Sequence, residues 1–369
     1  MSVIDSALAQ VRRIQPYTPG KPVEELEREL GIANAIKLAS NENPLGCSEQ
    51  AKKAIQNASR NIELYPDANA FYLKRALAQK LAVDTNQITI GNGSNDVLDL
   101  LARSFLDSSA EAIYSEHAFL VYALIVQACG AEARVARALP LEGAQPYGHD
   151  LHAMLDLIGE KTRLIFIANP NNPTGTWLDK AELKGFIDQV PGHIAIVIDE
   201  AYFEYVDEEG YPDALLWLSE YPNLIVTRTF SKIYGLAGLR VGYAISSPEV
   251  SDLLNRIRQP FNANTMALAA ATASLGDEEF VRASFGNNKI GMGQLKAYFD
   301  ARNITYIPSV ANFLTVNFST RSEEIYQGLL QRGVIVRPVG NYNLSDYLRI
   351  TIGTEQQLQV LMEKLDELL

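Results

Sequence analysis

Thr162-Arg163-Leu164-Ile165-Phe166-Ile167-Ala168-Asn169-Pro170-Asn171-Asn172-Pro173-Thr174-Gly175 is the stretch that decides the architecture of this chain. An apolar run with no turn residue ends abruptly in a cluster of Asn, Pro and Gly. A strand of this kind is covered on both faces. His193 to Asp199 repeats the pattern, and Lys180 to Gln189 between them is patterned as a helix. Buried strand, helix, buried strand predicts a mostly parallel sheet with helices against it. Sheets of that type bind ligands at the carboxyl ends of their strands.

The same alternation extends upstream. Ile88-Thr89-Ile90 runs into Gly91-Asn92-Gly93-Ser94-Asn95-Asp96, and Val97 to Phe105 is helical. A strand, a glycine-rich turn and a helix start aim free backbone N–H groups at an anion. Ala112-Ile113-Tyr114 leads through the turn Ser115-Glu116-His117 to a helix from about Phe119. The uncharged run Ala118 to Ala131 is shorter than the roughly 20 residues that span a bilayer, and reads as a buried helix. Downstream, Leu224 to Val226 is a strand. Loops beginning near Gly91, Asn169, Asp199 and Thr227 thus all stand at strand ends.

Beyond Pro260 the pattern changes to a small-residue helix, a long helix from Glu278 to Asn303, and short strands at 305–307, 313–318, 334–336 and 347–352. We expect an α/β chain of two units with an arm: 1–30 the arm, 49–261 the large unit, and 31–48 with 262–369 a small α+β unit. A length of 369 residues suits that division. The net charge of −12 argues against a nucleic-acid surface or an anionic membrane, though not against small anions. Cys47 and Cys129 lie far apart, so neither a metal site nor a disulfide is expected. The N-terminus lacks signal-peptide architecture, and a reducing cytoplasm is the expected setting.

The chemistry concentrates in Arg228-Thr229-Phe230-Ser231-Lys232-Ile233-Tyr234-Gly235-Leu236-Ala237-Gly238-Leu239-Arg240. Lys232 sits among hydroxyls, glycines and apolar side chains. Partial burial lowers an ammonium's pKa and frees the amine to attack a carbonyl. Eight residues on, Arg240 offers a fork suited to phosphate. An aldehyde to capture and a phosphate to hold describe pyridoxal phosphate. A strand turn with an incidental ion-pairing lysine would look the same in isolation. Asp199 closes a strand, where a carboxylate can pair with a protonated pyridine nitrogen. Tyr202, three residues on, could reach a ring hydroxyl, and Asn172 could do the same from the neighbouring strand end. Each alone also reads as a cap or a turn; together, at successive strand ends, they do not.

These residues resemble the aspartate aminotransferase superfamily, the fold type I pyridoxal phosphate enzymes. The matching motifs are Asn-Asn-Pro-Thr-Gly (171–175), Asp-Glu-Ala-Tyr (199–202) and Ser-Lys with Arg eight residues after the lysine. Closer still is the likeness to histidinol-phosphate aminotransferases, through Ser-Asn-Glu-Asn-Pro-Leu-Gly (40–46), Tyr-Pro-Asp (65–67), Gly-Asn-Gly-Ser-Asn (91–95) and Leu-Arg-Ile-Thr (348–351). The resemblance implies that Lys232 carries the cofactor and moves the proton, and that Asp199 holds the ring nitrogen. It implies that Tyr202 and Asn172 bind the ring oxygen. The phosphate falls to Ser94, Asn95, Ser231 and Arg240. Phe119 would stack on the ring, and Tyr65 would reach the cofactor of a partner subunit in a homodimer with shared sites. Tyr17, Asn43, Arg337 and Arg349 are the implied substrate contacts, with the two arginines taking carboxylate or phosphate in alternate half-reactions.

The implied reaction is a two-stage transfer between histidinol phosphate and glutamate/2-oxoglutarate through pyridoxamine phosphate, as in histidine biosynthesis. Aromatic amino acids are an alternative substrate on the same scaffold. A threonine-phosphate decarboxylase is a more remote one. A regulator of this fold would carry a DNA-binding module, for which the first thirty residues leave no room. One departure stands out: many relatives have Pro-Thr before the stacking aromatic, whereas here Glu116-His117-Ala118 precede Phe119. That variant also occurs where aromatic amino acids are substrates. His117 itself reads as a polar turn residue rather than a catalytic one.

Overall fold

The computed structural model describes residues 2–16 and 20–369. A two-residue strand, β1 (Ile36–Lys37), comes first. Seven strands then form the main sheet: β2 (Ile88–Gly91), β3 (Glu111–Ser115), β4 (Glu132–Ala136), β5 (Thr162–Ala168), β6 (Ala195–Asp199), β7 (Leu224–Thr229) and β8 (Gly242–Ile245). Their order is β2-β8-β7-β6-β5-β3-β4. Only β8 runs against its neighbours; the rest are parallel. The sheet is the mostly parallel one that the sequence predicts.

Side-chain alternation in the central strands fills two cores. Ile165, Ile167, Ile196, Ile198 and Val226 point to one face, and Leu164, Phe166, Val197 and Ile225 to the other. Both faces are covered because both are apolar. The first core is closed by α2 (Glu49–Ala58), α3 (Phe71–Leu81), α6 (Leu151–Asp156), α7 (Lys180–Ile187) and α9 (Thr265–Ser274), which follow α1 (Val23–Leu30). The second is closed by α4 (Ser94–Phe105), α5 (Val121–Cys129) and α8 (Pro248–Ile257). Helix α9 falls in the segment 262–369, yet Ala267, Ala270 and Ala271 lie in the main-sheet core. Small residues let α9 pack closely against α2.

Four short strands make a separate antiparallel sheet in the order β12-β13-β10-β9. These are β9 (Tyr306–Ile307), β10 (Phe313–Asn317), β12 (Arg337–Pro338) and β13 (Tyr347–Thr351). Between them, β11 (Val334–Ile335) pairs in parallel with β1. Helices α10 (Glu278–Asp300), α11 (Ser322–Gln331) and α12 (Glu355–Asp366) pack on this sheet, with Leu38 from the early chain in the same core. Among the described residues no helix is long and apolar enough to cross a membrane.

Two boundaries differ from the sequence reading for physical reasons. Strand β7 continues past Val226 through Thr227, Arg228 and Thr229, all buried. Their polar groups have buried partners, so polarity did not end the strand. Helix α4 begins at Ser94 rather than Val97, directly after Gly93, whose φ of +84° suits glycine.

Candidate active site

The carboxyl ends of β2, β5, β6 and β7 lie along one edge of the main sheet. Strand β8 runs the other way, so its entry, Arg240-Val241, arrives at that same edge. A cavity of about 250 Å³ opens there, walled by residues from these ends and from β12 and β13.

At one end of the cavity is an anion cradle. Ser94 and Asn95 begin α4, where the first N–H groups have no intrahelical acceptor. A Cβ on Gly93 would fall 2.5 Å from the Arg240 guanidinium, and one on Gly242 2.4 Å from the Ser94 nitrogen. Only glycine at both positions lets arginine, loop and strand close together. Arg240 Nη1 donates to Ser231 Oγ at 3.3 Å and to the Ala237 carbonyl at 2.9 Å. Its φ of +57° is a left-handed conformation costly to a side-chain-bearing residue, of order 1–3 kcal/mol. The surrounding turn holds it there, aimed at the cradle.

Asp199 lies deeper in the cavity. Its carboxylate accepts from Tyr122 Oη at 2.8 Å and from Thr227 Oγ1 at 2.9 Å. Burial raises its pKa, while those two hydrogen bonds and Lys232 oppose the rise. Lys232 is half-buried on the facing wall, with Nζ 3.4 Å from the Ser40 carbonyl and 5.5 Å from the centre of the Tyr202 ring. Burial first, then the Arg349 charge, lower its pKa to about 8. Phe119 also lines the cavity.

Tyr202 is buried, and burial pushes its pKa to about 12. Its oxygen accepts from Asn41 Nδ2 at 2.9 Å, which leaves its own proton free to donate. Asn172 Oδ1 accepts from Arg349 Nη1, so the Asn172 amide nitrogen remains available as a donor. Arg349 also donates to the Ala39 carbonyl at 2.7 Å. Strands β12 and β13 place Arg337 directly opposite Arg349. Opposed residues of an antiparallel pair share a face, and both arginines are buried in the cavity wall.

The model of the aminotransferase class I and II family matches residues 33–365. The chain belongs to this family. Histidinol-phosphate aminotransferase 1 of Nitrosococcus oceani is 51% identical over 98% of this chain and 97% of its own length. Histidinol-phosphate aminotransferase 2 of Methylococcus capsulatus is 50% identical over the full length of both. A solved histidinol-phosphate aminotransferase from Sinorhizobium meliloti, in complex with pyridoxal-5'-phosphate, superposes with a TM-score of 0.89 at 26% identity, covering 99% of this chain and 100% of that one.

Not every residue singled out in the sequence reaches the cavity of this aminotransferase. Asn43 does not line it; its amide donates to the Ile233 carbonyl at 2.7 Å and to Ser284 Oγ at 2.8 Å. It fastens the loop against the segment carrying Lys232. The neighbour that faces the cavity is Asn41, held by Thr351 as well as Tyr202. The backbone at Asn41 has a φ of +55°, a left-handed conformation that the sequence does not reveal. Tyr65 lies outside too, 82% exposed and stacked on Phe261 with centroids 4.6 Å apart. Tyr17 lies outside the described residues. His117 is buried, and its Nδ1 donates to the Tyr342 carbonyl at 2.7 Å. It ties the turn before Phe119 to the turn after β12 and does not line the cavity. Tyr122 was missed altogether: one hydroxyl in an apolar helix carries no pattern, although it follows Phe119 by three positions.

Proposed function

We propose that this aminotransferase moves an amino group between histidinol phosphate and 2-oxoglutarate with pyridoxal phosphate as cofactor. The observation that carries the substrate assignment is the opposed pair Arg337 and Arg349. Like charges directly across a ladder destabilise a sheet, and desolvation adds to the cost. A dianion between them removes both penalties. One arginine pair can take a phosphate in one half-reaction and a carboxylate in the other. The names of the relatives at about 50% identity support the same substrate.

The residues present fit the cofactor. The cradle of Ser94, Asn95, Ser231 and Arg240 suits a phosphate dianion, since a Cβ at Gly93 or Gly242 would fill it. Asp199 stands at the other end as a buried carboxylate that a protonated ring nitrogen would further stabilise. Bound there, pyridoxal phosphate supplies an aldehyde for amines and a ring that takes up the electron pair of a Cα–H bond. Lys232, with its lowered pKa, would hold the aldehyde covalently and, once displaced, take and return the proton at the substrate's Cα. Asp199 would keep the ring nitrogen protonated, oriented by Tyr122 and Thr227. Tyr202 and Asn172 would donate to the ring oxygen, and Phe119 would pack on the ring face. Two half-buried cysteines with no disulfide suit a reducing cytoplasm.

Arg337→Gln tests the substrate assignment. Loss of a charge-assisted contact to phosphate should lower kcat/KM for histidinol phosphate at least about tenfold, ~1.5 kcal/mol. The loss with glutamate should be smaller. Equal losses with both substrates, or none, would remove Arg337 from the phosphate site.

The reading also includes a homodimer with shared sites. Tyr65 and Phe261 form an exposed aromatic stack, with Ile62, Leu64 and Tyr72 exposed nearby. Such a patch on one protomer suits burial against a second copy. Tyr65 would then reach the partner's cofactor phosphate. Tyr65→Phe should weaken cofactor binding by about one hydrogen bond to a charged group, ~1.5–3 kcal/mol. Mixed with Lys232→Ala protein, it should give a heterodimer with one intact site, read as activity above the sum of the two. Subunit exchange without such recovery would make Tyr65 an intrachain residue.

A further inference from the structure

A second opening adjoins the cavity. It is a groove of about 630 Å³ between the N-terminal arm, α5 and the segment around β12. Gly20 and Arg337 belong to the walls of both spaces, so the groove borders the active site. Arg13, Lys21 and Arg337 supply its charges, and among the described residues that line it there is no Asp or Glu. That is unexpected in a chain with 44 acidic and 32 basic residues. Arm and helix are in contact: a Cβ on Gly130, after the end of α5, would lie 3.2 Å from the Gln10 amide nitrogen.

The three cations are not equivalent. Lys21 is engaged by Glu29 at 2.5 Å, which cancels much of its field. Arg337 belongs to the substrate site itself. Arg13 is exposed, lines the groove and makes no ion pair with a described residue. Leu120, Ala123 and Leu124 give the groove an apolar wall, and low-dielectric walls concentrate the field of a nearby charge.

We propose that Arg13 is a specificity-determining residue that acts on approach, drawing small dianions along this groove into the cavity. The net charge of −12 repels such substrates at a distance, so a local positive path decides where they enter. The inference rests on the substrates named above: 2-oxoglutarate is a dianion, and histidinol phosphate carries a dianionic phosphate beside its ammonium group. Arg13 does not line the cavity, so its effect falls on capture rather than on chemistry.

The test is steady-state kinetics of Arg13→Gln and Arg13→Glu over a salt series. At low ionic strength kcat/KM for each dianion should fall about threefold in the Gln variant and about tenfold in the Glu variant, with kcat unchanged. Near 1 M salt, where screening acts within about 3 Å, the variants should match the parent enzyme. Histidinol, the same amine without the phosphate, should show no loss. Thermal unfolding of the variants should coincide with the parent, as expected for an exposed side chain. An unchanged kcat/KM at low salt overturns the proposal. So does a loss that persists at high salt, or one that is equal with histidinol. A parent enzyme inert to histidinol phosphate, with the Arg13 effect intact on 2-oxoglutarate, would fail the substrate reading and leave Arg13 in place.

Discussion

Lys232→Ala protein is expected to lose turnover by roughly 10³-fold or more, because a positioned proton carrier alone contributes about 10²–10⁴. Covalent capture of the cofactor is lost with it. The anion cradle and Asp199 are untouched, so the variant should still bind pyridoxal phosphate, without the borohydride-fixed link expected at Lys232 in the parent protein. The pKa of about 8 sets a further expectation. In cofactor-free protein the amine is protonated and unreactive below that pH and neutral above it. Capture of the aldehyde should therefore speed up as pH rises through about 8 and then level off. Arg349→Gln removes a charge that holds this pKa down, so the profile should move to higher pH. Borohydride labelling at another lysine would overturn the assignment.

Arg228→Leu should cost about 3–5 kcal/mol of stability, read as a lower denaturant midpoint. Arg228 is 3% exposed and pairs with Glu200 at 2.7 Å and Asp213 at 2.8 Å, with its guanidinium 3.6 Å from the Phe203 ring centre. Glu200 is fully buried. Leucine removes its counter-charge and leaves a carboxylate in the core. Burial already raises the Glu200 pKa, and loss of Arg228 raises it further. A carboxyl whose folded pKa lies above its unfolded value binds more protons when folded, so stability falls as pH rises. The variant should thus lose more at alkaline than at mildly acidic pH. A loss below 1 kcal/mol would mean that Glu200 finds water instead. The ion pair matters to the site because Glu200 follows Asp199 and Arg228 follows Thr227, the Asp199 partner.

Much of this was legible in the sequence because it is written in local patterns. The runs 162–168 and 193–199 announce a sheet buried on both faces, and both cores later fill from those runs. Asp199, Asn172, Lys232 and the Gly91–Asp96 turn could be placed because strand ends are where a parallel sheet exposes its backbone. The opposed arginines depended on register: Arg337 and Arg349 face each other only through the pairing of β12 with β13. Strand β4 was missed since its residues are mostly exposed and carry no apolar run. Asn41 and Tyr122 were missed for another reason. Each acts through a hydrogen bond over a long sequence separation, Asn41 to Tyr202 as well as Thr351, and Tyr122 to Asp199. Nothing in a linear pattern marks such a partner, whereas Lys232 and Arg240 mark each other by proximity.

A single-turnover experiment tests the central claim most directly. Purified protein loaded with pyridoxal phosphate should be yellow, and histidinol phosphate added without a keto acid should bleach that colour once per active site. Phenylalanine at the same concentration should do so at least about tenfold more slowly, the equivalent of ~1.5 kcal/mol from the arginine pair. Bleaching by phenylalanine as fast as by histidinol phosphate, or no bleaching by histidinol phosphate, would contradict the account.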